Sequence, residues 1–129
     1  MVENALNWLR QAEKDLLHAE KSIINKDYEW ACFASQQAVE KAIKALYKTI
    51  NIDAWGYSVS QLLQNLPNDL IPNNNLIDMA KELDKHYIPA RYPNAHPSGA
   101  PMDYYTKKEA ERAVEYARTI IKYCKNKIV

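Results

Sequence analysis

The chain has 129 residues, of which 47% are hydrophobic and 26% charged, and its formal net charge is +1. These values are typical of a soluble globular protein, and we expect residues 1–129 to form one domain. No apolar run reaches the roughly 18 residues of a membrane span, and no basic leader precedes an apolar stretch, so we expect a cytoplasmic protein without a membrane partner.

The first half of the chain predicts two long helices. Asp27 can cap the second, over residues 28–50, and the short connection makes the two helices antiparallel neighbours. Small residues on the second helix would let other helices approach closely, which predicts that it lies at the centre. The first helix, over residues 3–24, follows from an apolar stripe with spacings of three and four, formed by Ala5, Trp8, Leu9, Ala12, Leu16, Ala19 and Ile23.

The second half predicts one short and two long helices. Residues 58–66 form the short helix, capped by Ser58 or Ser60, and residues 75–87 form the next, capped by Asn74 or Asn75. Thr106 and Glu109 have the spacing of a capping box, which predicts a last helix running to about residue 126. We therefore predict an all-α protein, an up-and-down four-helix bundle with one extra short helix.

Several kinds of functional site have no support in the sequence. The chain has only two glycines and therefore no glycine-rich phosphate loop, and it has no His/Cys cluster at metal-ligand spacing. No motif supports a nucleophile triad, and nothing indicates DNA as a partner. We expect no cofactor and no metal. Residues 106–129 carry seven basic and three acidic side chains, a net +4 that is a weak indication of a polyanionic partner.

Three segments carry a resemblance to a known family. The stretch YEWACFASQQAVEKAIKALY (28–47) resembles the central helix of the HEPN family, ARYPNA (90–95) resembles a segment that precedes its last helix, and YYTKKEAERAVEYARTII (104–121) resembles that last helix. The resemblance implies a helical bundle that forms a homodimer. One departure is Tyr57 or Ser58, which stands where many relatives have a histidine.

The resemblance implies three alternative functions. The first is a nucleotide- or RNA-binding protein that partners a separate minimal nucleotidyltransferase in a toxin–antitoxin-like pair. The second is a metal-independent endoribonuclease that uses an Arg-x(4–6)-His motif, which Arg91 and His96 satisfy. The third is a noncatalytic structural partner subunit.

The ribonuclease alternative makes chemical sense of Arg91 and His96. Imidazole titrates near neutral pH and can take the proton of a 2′-hydroxyl, while arginine stays charged and can contact two phosphate oxygens. The spacing alone is a weak signal, however. In the simpler alternative, Arg91 pairs with an acidic residue such as Asp84 or Asp103, and His96 is an exposed loop side chain. His18 and His86 are predicted to be surface or boundary residues.

Two further groups are candidates for nucleotide or RNA binding. Gln37, Lys41 and Lys44 share one face of the second helix and could hold a phosphate backbone, although a Glu40–Lys44 ion pair on a solvated face would also explain them. The loop between the last two predicted helices is rich in proline, with four prolines from Pro89 to Pro101. Tyr92 and Tyr105 flank this proline-rich loop, where they could stack on bases or anchor the loop to the bundle.

Overall fold

The computed structural model describes residues 2–129, in which four long helices form an antiparallel bundle, as the sequence predicted. The long helices are α1 (Val2–Ile24), α2 (Tyr28–Thr49), α4 (Asn74–Asp84) and α6 (Lys107–Ile128). The predicted short helix is α3 (Val59–Gln64). The proline-rich loop contains a second one, α5 (Pro101–Tyr104), which the sequence did not predict.

Helix α2 lies at the centre of the bundle, as its small residues indicated. It packs against α1, α6, α3 and α4. Close approach is possible because the side chains that face these neighbours are small, and all of them are buried: Ala31, Ala34, Ser35, Ala38, Ala42 and Ala45. Larger residues such as Ile43, Leu46, Leu63 and Ile120 fill the remaining core.

The helix caps agree with the sequence in two places and differ in two. Ser58 caps α3, with its hydroxyl accepting from the Gln61 amide, and Thr106 caps α6 by accepting from the Glu109 amide at 3.1 Å. Asp27 occupies the cap position of α2, but its side chain makes no capping hydrogen bond there. Asn73, which follows Pro72, caps α4 in place of the predicted Asn74 or Asn75.

Helix α4 ends at Asp84, three residues earlier than predicted. Pro89 has no amide hydrogen, and its ring would clash with the carbonyl four residues earlier, so an α-helix cannot continue through it. The chain tightens instead, with the amides of Lys85, His86 and Tyr87 each bonding to the carbonyl three residues before. Within this stretch His86 is buried, whereas Tyr92 is exposed.

No helix within residues 2–129 combines the length and the apolar composition that a bilayer crossing requires. Cys32 and Cys124 are both free and buried. Burial raises the pKa of the Cys124 thiol to about 12, which keeps it protonated and unreactive at neutral pH.

Candidate functional site

Arg91 lies among aromatic rings rather than beside a carboxylate. Its guanidinium carbon is 4.4 Å from the ring centre of Phe33, 4.6 Å from that of Tyr87 and 5.0 Å from that of Tyr92. The ring of Tyr57 stacks on Tyr87, with centroids 3.8 Å apart and planes 9° apart. We call Phe33, Tyr57, Tyr87, Arg91 and Tyr92 the arginine–aromatic cluster.

The predicted ion pair between Arg91 and Asp84 or Asp103 is wrong. Asp84 bonds the start of α3, where it accepts from the amide of Val59 at 2.6 Å and from the hydroxyl of Ser60 at 2.5 Å. Asp103 accepts instead from the Ala100 amide at 2.9 Å. Both carboxylates are committed to nearby backbone amides, so neither reaches the guanidinium.

The terminal nitrogens of Arg91 face solvent. Its Nε donates to the Tyr87 carbonyl at 2.8 Å, and among residues 2–129 neither terminal nitrogen has a hydrogen-bond partner. In the same part of the chain, every buried side-chain nitrogen or oxygen has a partner, so these unpartnered nitrogens must be accessible. Tyr57 is 48% exposed and Tyr92 is 46% exposed. The cluster therefore presents a fixed cation together with open ring faces.

Two buried polar contacts hold the loop that carries Tyr57. Gln36, fully buried on α2, donates from Nε2 to the Tyr57 carbonyl at 2.9 Å. One residue further along, Ser58 donates its hydroxyl to Asp84 at 2.9 Å. These contacts hold the backbone at Tyr57 and at the residue that follows it. The sequence pattern did not single out Phe33, although it lies four residues before Gln37 on the same helix.

His96 is also held in place, by different partners. Its Nε2 lies 2.7 Å from the Pro89 carbonyl, and its ring stacks on Tyr104 with centroids 4.5 Å apart. A carbonyl only accepts, so Nε2 must carry the hydrogen, and the neutral ring has its lone pair on Nδ1. The description of His96 as an exposed loop side chain is therefore wrong, because the ring is half-buried and anchored.

The polar face predicted on α2 is present, but its cations are paired. Lys41 contacts Asp15 of α1 at 2.7 Å, and Lys44 contacts Glu40 at 2.9 Å, as the alternative interpretation expected. Gln37 donates to the Gln36 side chain at 2.7 Å. These side chains are half-buried rather than solvated, and the two ion pairs leave this stretch of α2 almost neutral.

Tyr105 is half-buried against the core and is not part of the arginine–aromatic cluster. Its hydroxyl lies 3.0 Å from Nδ1 of His86, and burial raises the pKa of the phenol. His86 is only 4% exposed, so the prediction of a surface or boundary position is wrong. Burial lowers the pKa of His86 to about 4, which keeps the ring neutral. The partner hydroxyl explains why the core tolerates this ring.

Within residues 2–129, no group of three or more His, Cys, Asp or Glu side chains is arranged to hold a metal ion. The arginine–aromatic cluster offers rings for stacking and a cation for contact with a phosphate.

Comparison of the sequence and the fold with known proteins identifies the family of the chain. The chain is similar to TT1696 from Thermus thermophilus, with 46% identity, a TM-score of 0.93, and coverage of 95% of this chain and 97% of that one. It is similar to ST0689, an archaeal HEPN homologue, at 38% identity and a TM-score of 0.83, over 97% of this chain and 98% of that one.

A protein of Methanocaldococcus jannaschii named "Putative toxin MJ1304" is 27% identical over 97% of this chain and 88% of its own length. The HEPN domain model matches residues 5–127, which is nearly the whole sequence. The chain therefore belongs to the HEPN domain family.

Proposed function

We propose that this HEPN protein binds single-stranded RNA or nucleotides at the arginine–aromatic cluster. The observation that carries the proposal is Arg91, whose terminal nitrogens face solvent without an anionic partner while three rings surround its guanidinium. Arginine contacts two phosphate oxygens at once, and exposed rings stack on any base. Both features suit a ligand that carries phosphates and flat bases.

Hydrogen bonds hold the residues of the cluster in position, and this ordering supports a binding site. Gln36 holds the Tyr57 carbonyl and Asp84 holds the backbone that follows it, while the Tyr87 carbonyl holds Arg91. Because these side chains are already ordered, a ligand would lose little of its binding free energy to ordering them.

A binding titration tests the proposal. A fluorescein-labelled single-stranded RNA of about ten nucleotides is titrated with protein at low salt, where phosphate contacts are strongest. We expect Arg91→Ala to weaken RNA binding by at least about tenfold. Arg91→Lys should retain only part of the wild-type affinity, because an ammonium lacks the planar geometry that lets a guanidinium bind two phosphate oxygens at once. Arg118→Ala on α6 is the matched control, since it removes the same charge from an exposed position.

Equal losses from Arg91→Ala and Arg118→Ala would mean that only net charge matters, which would contradict a site at the cluster. Undetectable binding of RNA and of ATP by the folded protein would leave the third alternative, a structural partner subunit.

The relative named as a putative toxin supports a toxin-like role, and with it a protein partner. We propose a homodimer that pairs with a separate minimal nucleotidyltransferase, as the family resemblance implies. Light scattering of the purified chain tests the dimer. Co-expression with a nucleotidyltransferase encoded beside it tests the pairing, and failure of the two proteins to co-purify would count against it.

A metal-independent endoribonuclease is the second candidate, favoured by two specific contacts. Arg91 and His96 are both anchored on the same turn, through the carbonyls of Tyr87 and Pro89. In this mechanism, Nδ1 of His96 takes the 2′-hydroxyl proton and the 2′-oxygen attacks phosphorus. The bond to the 5′-oxygen breaks, and that oxygen takes a proton from water. Arg91 stabilises the charge that develops on the phosphate.

Incubation of RNA with the protein in excess EDTA tests this candidate. We expect 2′,3′-cyclic phosphate ends that disappear with His96→Ala. Intact RNA after incubation with well-folded protein would rule the mechanism out under those conditions and leave the binding proposal in place.

A further inference from the structure

A cavity of about 230 Å³ opens at the other end of the half-buried polar face of α2. We call it the tryptophan cavity; its main lining residues are Trp8 of α1, Lys44 and Lys48 of α2, and Ile52, Asp53 and Trp55 of the following loop. An adjoining cavity of about 240 Å³ continues along α1 and shares Trp8. Together they form an open groove beside α2.

The tryptophan cavity repeats the chemistry of the arginine–aromatic cluster. The ammonium of Lys48 lies 5.8 Å from the ring centre of Trp8, and Trp55 is 85% exposed. Unlike Lys41 and Lys44, Lys48 forms no ion pair within the part of the chain that the structure describes. A cation beside open indole faces suits a nucleobase and its phosphate.

One strip of α2 connects the two places. Phe33, Gln37, Lys41, Lys44 and Lys48 follow one another at spacings of four, four, three and four, so they share one helix face. Lys48 lies 15 residues after Phe33 (48 − 33). At 1.5 Å per residue, this separation is about 22 Å. A stacked strand advances about 3.4 Å per nucleotide, so the distance corresponds to between six and seven steps, and about seven or eight nucleotides would cover it.

We propose that a single RNA strand, bound by one base at the arginine–aromatic cluster, follows this strip and stacks a second base in the tryptophan cavity. The inference rests on the proposed RNA binding and adds the path and minimum length of the ligand. Since Asp15 and Glu40 neutralise Lys41 and Lys44, the phosphate contacts concentrate at the two ends, on Arg91 and Lys48. The carboxylate of Asp53 is an acceptor that suits the exocyclic amino group of adenine.

A length series of RNA tests the path. Labelled oligoadenylates of about three and about nine nucleotides are titrated with the wild-type protein, because only the longer one can reach both sites. We expect the longer strand to bind at least about tenfold more tightly, which is the usual contribution of one additional stacked base. Equal affinities for the two lengths would overturn the path while leaving binding at the cluster intact.

Two variants locate the second site. Trp55→Ser and Lys48→Gln should each weaken binding of the longer strand and leave the short one unchanged, and Lys48→Gln should lower the salt-dependence slope by about 1. Trp55 is almost fully exposed, so its loss should not affect folding. Lys122→Gln, on the exposed face of α6, is the control of equal charge. An unchanged affinity of Trp55→Ser for the longer strand would refute the second site.

Two remaining outcomes also decide the question. If neither oligonucleotide binds the wild-type protein, the path fails together with the proposed function. If Trp55→Ser changes the sedimentation of the protein from dimer to monomer and leaves RNA affinity unaltered, the groove is an interface between copies and the path is wrong.

Discussion

Asp84 and His86 face the interior of the bundle, whereas Arg91 and Tyr92, a few residues further along, lie at the surface. On the inner side, both side chains have protein partners: Asp84 bonds the start of α3, and Nδ1 of His86 lies 3.0 Å from the Tyr105 hydroxyl. On the outer side, Arg91 keeps its terminal nitrogens free and Tyr92 is 46% exposed. One short segment thus carries inward-facing polar side chains with hydrogen-bond partners and an outward-facing arginine whose terminal nitrogens have none.

The difference separates stability from binding. Removing a buried, hydrogen-bonded side chain lowers stability strongly, because its former partner is left buried without a hydrogen bond to protein or water. Surface side chains whose hydrogen-bond donors have no protein partner contribute little to the free energy of folding. If such side chains are nevertheless held in a fixed position, binding of a ligand explains that position better than stability does. Substitutions on the inner side should therefore lower the free energy of unfolding, and those on the outer side should mainly lower affinity.

The largest expected effect is that of Asp84→Ala. The change removes an acceptor from the amides of Val59 and Ser60 and from the hydroxyls of Ser58 and Ser60. We expect the free energy of unfolding to fall by about 4 kcal/mol, since hydrogen bonds to a charged group are among the strongest in proteins. Urea denaturation measures the change.

The exposed Asp78 on the same helix provides the control for this prediction, and Asp78→Ala should change stability by less than about 0.5 kcal/mol. Similar losses of unfolding free energy from the two substitutions would show that Asp84 does not hold α3. They would contradict the larger contribution to stability expected from the inner side.

The second prediction concerns the acid sensitivity that His86 introduces. Its pKa is about 4 in the folded protein and 6.5 ordinarily, so the unfolded chain takes up the proton first. Stability from the neutral ring is fully present above pH 6.5 and is lost as the pH falls towards 4. The loss at pH 4.5 should be about 3 kcal/mol at most.

Denaturation curves of the wild type and His86→Gln at pH 7 and pH 4.5 measure this contribution. The carboxylates affect both proteins alike, so the difference between the two pH dependences isolates the histidine. Parallel pH dependences for the two proteins would contradict a buried, neutral His86.

Sequence patterns predicted the bundle because each long helix has an apolar stripe of its own, and Thr106 caps α6 through contacts within one turn. The cluster could not be predicted in this way. Phe33, Tyr57 and Arg91 lie far apart in the chain, and only tertiary packing brings them together. Spacing did identify Arg91 and His96, but it could not show that each is anchored by a backbone carbonyl.

The third prediction moves to the outer side, with Arg91→Ala. The lost interactions are one hydrogen bond and contacts with three rings at the surface, so the free energy of unfolding should fall by only about 1 kcal/mol. The same variant should lose at least about tenfold in RNA affinity. A loss of several kcal/mol in urea denaturation would instead place Arg91 with Asp84, as a residue required for folding.

The smallest effect on stability is expected from His96→Ala, about 0.5 kcal/mol, because the substitution removes one hydrogen bond and one half-exposed ring contact. Its main consequence should be local. Without the anchor on Pro89, the backbone amides of residues 93–100 should exchange hydrogen faster, while those of α2 stay protected. Tyr104→Phe is the control, since it keeps a ring for His96 to stack on and removes only the hydroxyl bonded to the Ser98 carbonyl. If exchange in this loop is unchanged in His96→Ala, then the imidazole does not hold the loop. Its ordered position would then have no structural purpose, which would strengthen the case that His96 acts on the phosphate that Arg91 binds.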